Sequence, residues 1–190
     1  MPQLWDQAPF ALSRVFERLG VLVVLIALLP TDIAYGAALN SHRDALTLLN
    51  SSKKSDQKRG LSKLIELGSA NDPRALLAIA DLHYEGRFLK KDLALTFKYT
   101  KQAADLNLPE AQNNLGFLFK TGTGTQKLLE QAFLYFQLSA KSKFPPALYN
   151  LGLAYEKGDG TEKSLIEAVD CYRKAANSSH LQSQVRLGKL

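Results

Sequence analysis

Residues 147–182 read ALYNLGLAYEKGDGTEKSLIEAVDCYRKAANSSHLQ, and the same plan stands twice before it. Residues 111–146, AQNNLGFLFKTGTGTQKLLEQAFLYFQLSAKSKFPP, and 75–110, ALLAIADLHYEGRFLKKDLALTFKYTKQAADLNLPE, fall into register with it at a spacing of 36. Ala75, Ala111 and Ala147 open the copies, and Ile79-Ala80, Leu115-Gly116 and Leu151-Gly152 follow at one offset. A partial fourth copy has Ser183 in the alanine position and Leu187-Gly188 after it. A fixed period of this size means one supersecondary unit stacked on itself. Arrays of this kind act through surface rather than through a chemical centre.

Each copy holds two helical runs split by a glycine-bearing turn. Ala111, Leu115 and Phe119 lie at i, i+4 and i+8, so they share one helix face. Ala147, Leu151 and Tyr155 repeat that face, as do Ala75, Ile79 and His83. The first run stops near Gly86, Gly122 or Gly158, a residue suited to the left-handed position past a helix end. The second closes on Ala103-Ala104, Ser139-Ala140 or Ala175-Ala176. Gly116 and Gly152 allow a neighbouring helix close, and Ala132 with Phe136, like Ala168 with Tyr172, alternates small and large for interlocking. Tyr99, Tyr135 and Cys171 share a column, so Cys171 reads as a packing residue. A single cysteine excludes an intrachain disulfide framework.

These copies resemble Sel1-like repeats, a helical-pair family related to tetratricopeptide repeats. In the third copy the match rests on Ala147, Leu151-Gly152, Tyr155, Gly158, Gly160, Ala168, Tyr172 and Ala175-Ala176. The second copy has Phe119 for the tyrosine; the first has Ala80 for the Leu-Gly glycine, His83 for the tyrosine and Phe88 for the second turn glycine. All three lack the family's glycine after the closing Ala-Ala, and Asn107, Lys143 and Ser179 lie in that region. The resemblance implies an all-α fold, a right-handed alpha-alpha superhelix (solenoid) of antiparallel pairs with a concave face for a protein or peptide. It also implies an adaptor or assembly role, with exported bacterial members, and no shared catalytic residues.

Ahead of the clear copies, residues 37–74 are expected to form a degenerate capping pair. Its helices are placed at Ala37–Asn50 and Leu61–Leu67, with SSKKSDQKRG (51–60) as a polar loop between them. Residues 75–190 then hold three repeats and a terminal half repeat. Residues 1–36 read as a signal peptide. LGVLVVLIALL, from Leu19 to Leu29, is an apolar run of eleven residues before Pro30. A comfortable bilayer span needs about 20 residues, so the run fits a signal-peptide core. Arg14 and Arg18 precede it, and Ala34 and Gly36 suit cleavage before Ala37, with Leu39 the other candidate start. A periplasmic or secreted protein is expected. The rival is an uncleaved inner-membrane anchor extended by Phe10, Ala11 and Leu12.

The formal net charge is +6, but the lysines are scattered and no dense basic face or zinc-finger pattern points to nucleic acid. GTGTQK, from Gly122 to Lys127, lacks phosphate-loop spacing. His42, His83 and His180 are far apart, with no HExxH and no GxSxG. No enzyme activity, cofactor, metal or small-molecule substrate is expected. The leading reading is an exported scaffold for protein–protein interaction; its rivals are a membrane-anchored assembly factor for an envelope complex and a regulator of a cell-wall enzyme. Asn114 and Asn150 align one residue before the packed leucines and face away from the apolar stripe. They are candidates to hold an extended peptide through their amides, with Phe117, Tyr149 and Leu153 adding apolar contact. The competing reading buries all five against neighbouring helices.

Overall fold

The computed structural model describes the backbone of residues 31–190 and the side chains from residue 40 onward. The apolar run Leu19–Leu29 and its basic flank lie outside the described residues. Among the described residues there are nine helices and no strand. They are α1 (Thr31–Leu49), α2 (Lys54–Ser69), α3 (Pro73–Glu85), α4 (Leu93–Asp105), α5 (Pro109–Thr121), α6 (Leu129–Lys141), α7 (Pro145–Lys157), α8 (Leu165–Ala176) and α9 (Leu181–Leu187). Asp44–Leu190 forms one compact unit; the earlier part of α1 belongs to another. Within Asp44–Leu190 the helix pairs stack as a right-handed α-α superhelix. None of the described helices is long and apolar enough to cross a membrane.

Local chemistry sets the ends of these helices. Pro73, Pro109 and Pro145 start α3, α5 and α7, where a missing N–H costs no helical bond. Asp72 and Asp92 cap α3 and α4 by accepting from the N–H of Ala75 at 2.8 Å and of Leu95 at 2.9 Å. Gly86, Gly122 and Gly158 terminate the first helix of each pair in the left-handed region, with φ of 74°, 74° and 78°. A second left-handed position comes two residues later. There Gly124 and Gly160 lie against the carbonyls of Leu93 and Leu129, where a Cβ would overlap the oxygen. Phe88 holds the same place in the first repeat at φ 65°, with its ring exposed under the Arg87 guanidinium.

The turn between pairs keeps its left-handed residue without glycine. Asn71, Asn107, Lys143 and Ser179, spaced by 36, have φ of 59°, 59°, 56° and 61°. Asn71 therefore places the same exit turn after α2. The stretch 51–60 corrects the sequence expectation: helix α2 already begins at Lys54, inside the expected loop. Its charged residues point outward, and Gly60 is buried so closely on α1 that a Cβ would sit 2.7 Å from Ala45 O and from Leu49 N. Gly60 and Leu64 continue the columns of Thr96, Ala132 and Ala168, and of Thr100, Phe136 and Tyr172. Helix α2 is thus the second helix of a further pair, shortened at its connection to α1.

The apolar stripes meet as expected. Ala111, Leu115, Phe119, Ala132, Phe136 and Leu151 belong to one buried cluster, with Phe119 stacked on Tyr135 at 5.6 Å between ring centroids. A Cβ on Gly116 would meet the Phe136 ring at 2.7 Å, and one on Gly152 would meet the Tyr172 ring at 2.5 Å. These two glycines are seats for an aromatic ring of the paired helix.

Candidate protein-binding groove

The first helices of successive pairs, α3, α5 and α7, lie side by side. A groove of about 300 Å³ forms among α3, α4, α5 and α7, at the repeat that departs most from the pattern. Where the later repeats have Phe136 and Tyr172 on their glycines, the first has Thr100 and Ala80 at the equivalent positions. The short threonine does not fill the space of a ring. Thr96 and Thr100 are buried and line the groove. Thr96 commits its hydroxyl to the carbonyls of Asp92 at 3.0 Å and Ala80 at 3.4 Å.

Amides cross from one repeat to the next in the same groove. Asn150 Nδ2 donates to Asn113 Oδ1 at 2.8 Å, and Asn113 Nδ2 donates to Asn114 Oδ1 at 3.3 Å. All three asparagines line the groove. The Asn114 NH2 and the Asn150 Oδ1 make no further side-chain bond among the described residues. Phe117 and Tyr84 stand on the rim, each 47% exposed, an unusual amount for an aromatic ring on a packed helix. Asp81 also lines the groove; burial, then Glu110 and Glu85, push its carboxyl up to about 6.

The structure thus brings Asn114, Asn150 and Phe117 of the sequence candidates together. Tyr149 and Leu153 are not among the groove-lining residues. Tyr149 packs between Tyr172 and His180, with ring centroids 5.7 Å and 5.3 Å away, so its own paired helix and the start of α9 cover it. Leu153 is half-buried. Helix α9 closes that end of the array with an ionic clamp on Glu156. The Arg186 guanidinium donates to both carboxylate oxygens, and the Tyr172 hydroxyl donates to Oε2 at 2.7 Å. These bonds hold the Glu156 carboxyl below its ordinary range.

The repeat geometry has a counterpart in known proteins. The family model described as the Sel1 repeat matches residues 73–108, 109–144 and 145–180, each span running from the start of one helix pair to the next. The chain belongs to the Sel1 repeat family. A Sel1 repeat protein from Oxalobacter formigenes is 30% identical over 70% of this chain and 99% of its own, with a TM-score of 0.64. Two further solved structures share the fold. One is a protective antigen of uropathogenic Escherichia coli displaying an SLR fold, at 22% identity and TM-score 0.74; the match covers 86% of this chain but only 35% of that one. The other is Helicobacter pylori cysteine-rich protein B, at 20% identity and TM-score 0.55, covering 73% of this chain and 99% of that one. A search of curated proteins found no match. Sel1 repeat proteins generally mediate protein–protein interaction and are typically non-enzymatic scaffolds.

Seen as Sel1 repeats, the groove residues absent from the sequence reading are Asp81, Tyr84, Thr96, Thr100, Asn113 and Leu118. A signal for them existed in the register. Asp81 shares a column with Phe117 and Leu153, and Thr100 shares one with Phe136 and Tyr172. Cys171, by contrast, is buried in the core cluster, where desolvation and then Asp170 push its thiol up to about 11. That shift is opposite to what an attacking thiolate needs.

Proposed function

We propose that this chain is an exported, non-enzymatic scaffold whose Sel1 repeats take an extended segment of a partner protein in the groove among α3, α5 and α7. The amide row from Asn150 through Asn113 to Asn114 carries the reading. It spans two repeats, borders a groove and keeps donors and acceptors of the kind a peptide backbone needs. Phe117 supplies apolar area beside it. The export part rests on the Leu19–Leu29 run with Arg14 and Arg18 before it. The intended compartment is the bacterial envelope or its exterior, and residues 37–74 serve as the capping pair of the array.

The test begins with affinity capture from envelope extract and identification of the captured protein. Binding of that protein to wild type and to the Asn114→Ala/Asn150→Ala double variant is then measured. The groove reading expects a loss of affinity with an unchanged melting curve. Equal affinity would move the interaction elsewhere. Intact-mass measurement after expression from the full chain addresses export. A start near Ala37 or Leu39 supports it; a membrane-bound chain retaining Met1 through Pro30 supports the anchored assembly factor instead.

A further inference from the structure

The groove carries polar groups that a plain backbone contact would not use. Thr100 is 2% exposed, yet its hydroxyl opens on the groove and makes no hydrogen bond among the described residues. A hydroxyl on a groove wall with no protein partner is left for water or a ligand to meet. The neighbouring acids are also uncompensated. Asp81 lines the same groove, and its carboxyl is pushed up to about 6 by burial, then by Glu110 and Glu85. Among the described residues no salt bridge joins Asp81, Glu85 or Glu110 to a cation. Lys91 lies over the Tyr84 ring at 5.8 Å, and that ring is still half open. Tyr84 and Phe117 therefore offer aromatic walls to a groove whose lining also holds the Asp81 carboxylate and the Thr100 hydroxyl.

Resting on the peptide-groove reading, the geometry points to a socket for one basic side chain of the partner segment, an arginine or lysine. Its aliphatic stem lies against Tyr84 and Phe117, and its charged head meets the Asp81 carboxylate and the Thr100 hydroxyl oxygen. Three features converge on a cation. The carboxylate gains an opposite charge that offsets repulsion from Glu110 and Glu85. The threonine oxygen gains a donor. The ring faces attract positive charge, and arginine more than lysine can also stack on them. An acidic segment would meet like charge at all three carboxylates, and an apolar side chain would shut the Thr100 hydroxyl off from water and give it no partner. The flanking backbone runs on to the amide row, so the socket fixes where the segment starts and the row holds the residues beyond it.

Pools of decapeptides decide this, each randomised on both flanks and fixed at the centre as arginine, lysine, citrulline, norleucine or glutamate. They are titrated against the full chain near neutral pH, with free arginine as a separate arm. The arginine pool should bind about tenfold tighter than the citrulline, norleucine and glutamate pools, with lysine between. The preference should vanish in Asp81→Asn and shrink in Thr100→Val, with circular dichroism reporting retained folding. A second variant, Ala80→Gly/Thr100→Phe, rebuilds the ring-on-glycine seat of the other repeats and should close the socket. Pools that all bind equally, and lose affinity together in Asn114→Ala/Asn150→Ala, would overturn the socket while leaving the groove. An arginine preference that survives in both Asp81→Asn and the rebuilt variant would also overturn it. Free arginine matching the affinity of its pool would make this a site for a small cation and overturn the peptide assignment. Failure of every pool to bind would remove socket and groove together.

Discussion

The first and third repeats use one backbone plan and treat the polar groups along it in opposite ways. In the third, Tyr172 sits on Gly152, fills the space between its two helices and extends its hydroxyl to Glu156, which Arg186 neutralises from α9. In the first, Thr100 and Ala80 hold the equivalent positions, a groove remains, and Asp81 has acids for neighbours. The two carboxylates shift in opposite directions: the Arg186 hydrogen bonds bring Glu156 down, while burial, then Glu110 and Glu85, bring Asp81 up. A repeat that satisfies its own polar groups has nothing left to offer a partner. A repeat that does not is less stable alone and better suited to binding.

The largest effect comes from making the third repeat like the first. Tyr172→Thr removes a ring that is 0% exposed. The expected loss is about 3–5 kcal/mol, the range for deleting a buried aromatic, measurable by chemical unfolding. Gly152→Leu attacks the same seat by overpacking and should cost about 1–3 kcal/mol. A near-neutral result for both would undo the contrast, because the third repeat would not then depend on the ring in its seat.

Glu156→Gln probes the clamp through pH. A carboxyl with a lowered folded pKa contributes stability at neutral pH and loses it as pH falls through the ordinary carboxylate range and below. Amide exchange in α9 should accelerate in wild type as pH drops through that window. In the variant it should be fast already at neutral pH and change little with acid.

Lys143→Gly refines the contrast by stabilising the array between its two ends. Lysine at φ 56° carries a left-handed strain that glycine escapes, partly offset by glycine's greater unfolded-state freedom. A net gain of about 0.5–1 kcal/mol is expected in thermal unfolding, with no change in the exchange of α9. The smallest effect belongs to Asp81→Asn. A carboxyl with a raised folded pKa costs stability above about 6 and is relieved as pH falls through that value. The variant should melt slightly higher than wild type near neutral pH, and the difference should shrink on acidification to below the Asp81 transition. Equal melting at both ends of that range would remove the electrostatic half of the contrast.

The repeats were legible because every copy obeys one period, so each alanine, glycine and ring supports the others. Helix α2 was not. Its residues Gly60 and Leu64 keep the period, but the shorter connection breaks the register of α1, and the charges of 53–59 read as a loop. The groove was half legible. Asn114 and Asn150 repeat and therefore stand out, while Asn113 occurs in that role only once. Thr100 and Asp81 matter because they break a column, and pattern matching passes over a missing ring as mere divergence. Tyr149 looked available because its cover comes from Tyr172 and His180, one of which lies beyond its own helix pair's buried seam.

The three linked amides have a direction. Two hydrogens pass the same way, from Asn150 to Asn113 and from Asn113 to Asn114, so one end of the row presents a carbonyl and the other an NH2 group. A polypeptide is also a vector, with its own N–H and C=O groups in fixed order. A strand laid along the row in one sense meets acceptor with donor at both ends; laid in the other, it forces the whole row to rotate its amides in concert. The orientation of a guest is thereby written into a proton pattern, independent of the shape of the walls.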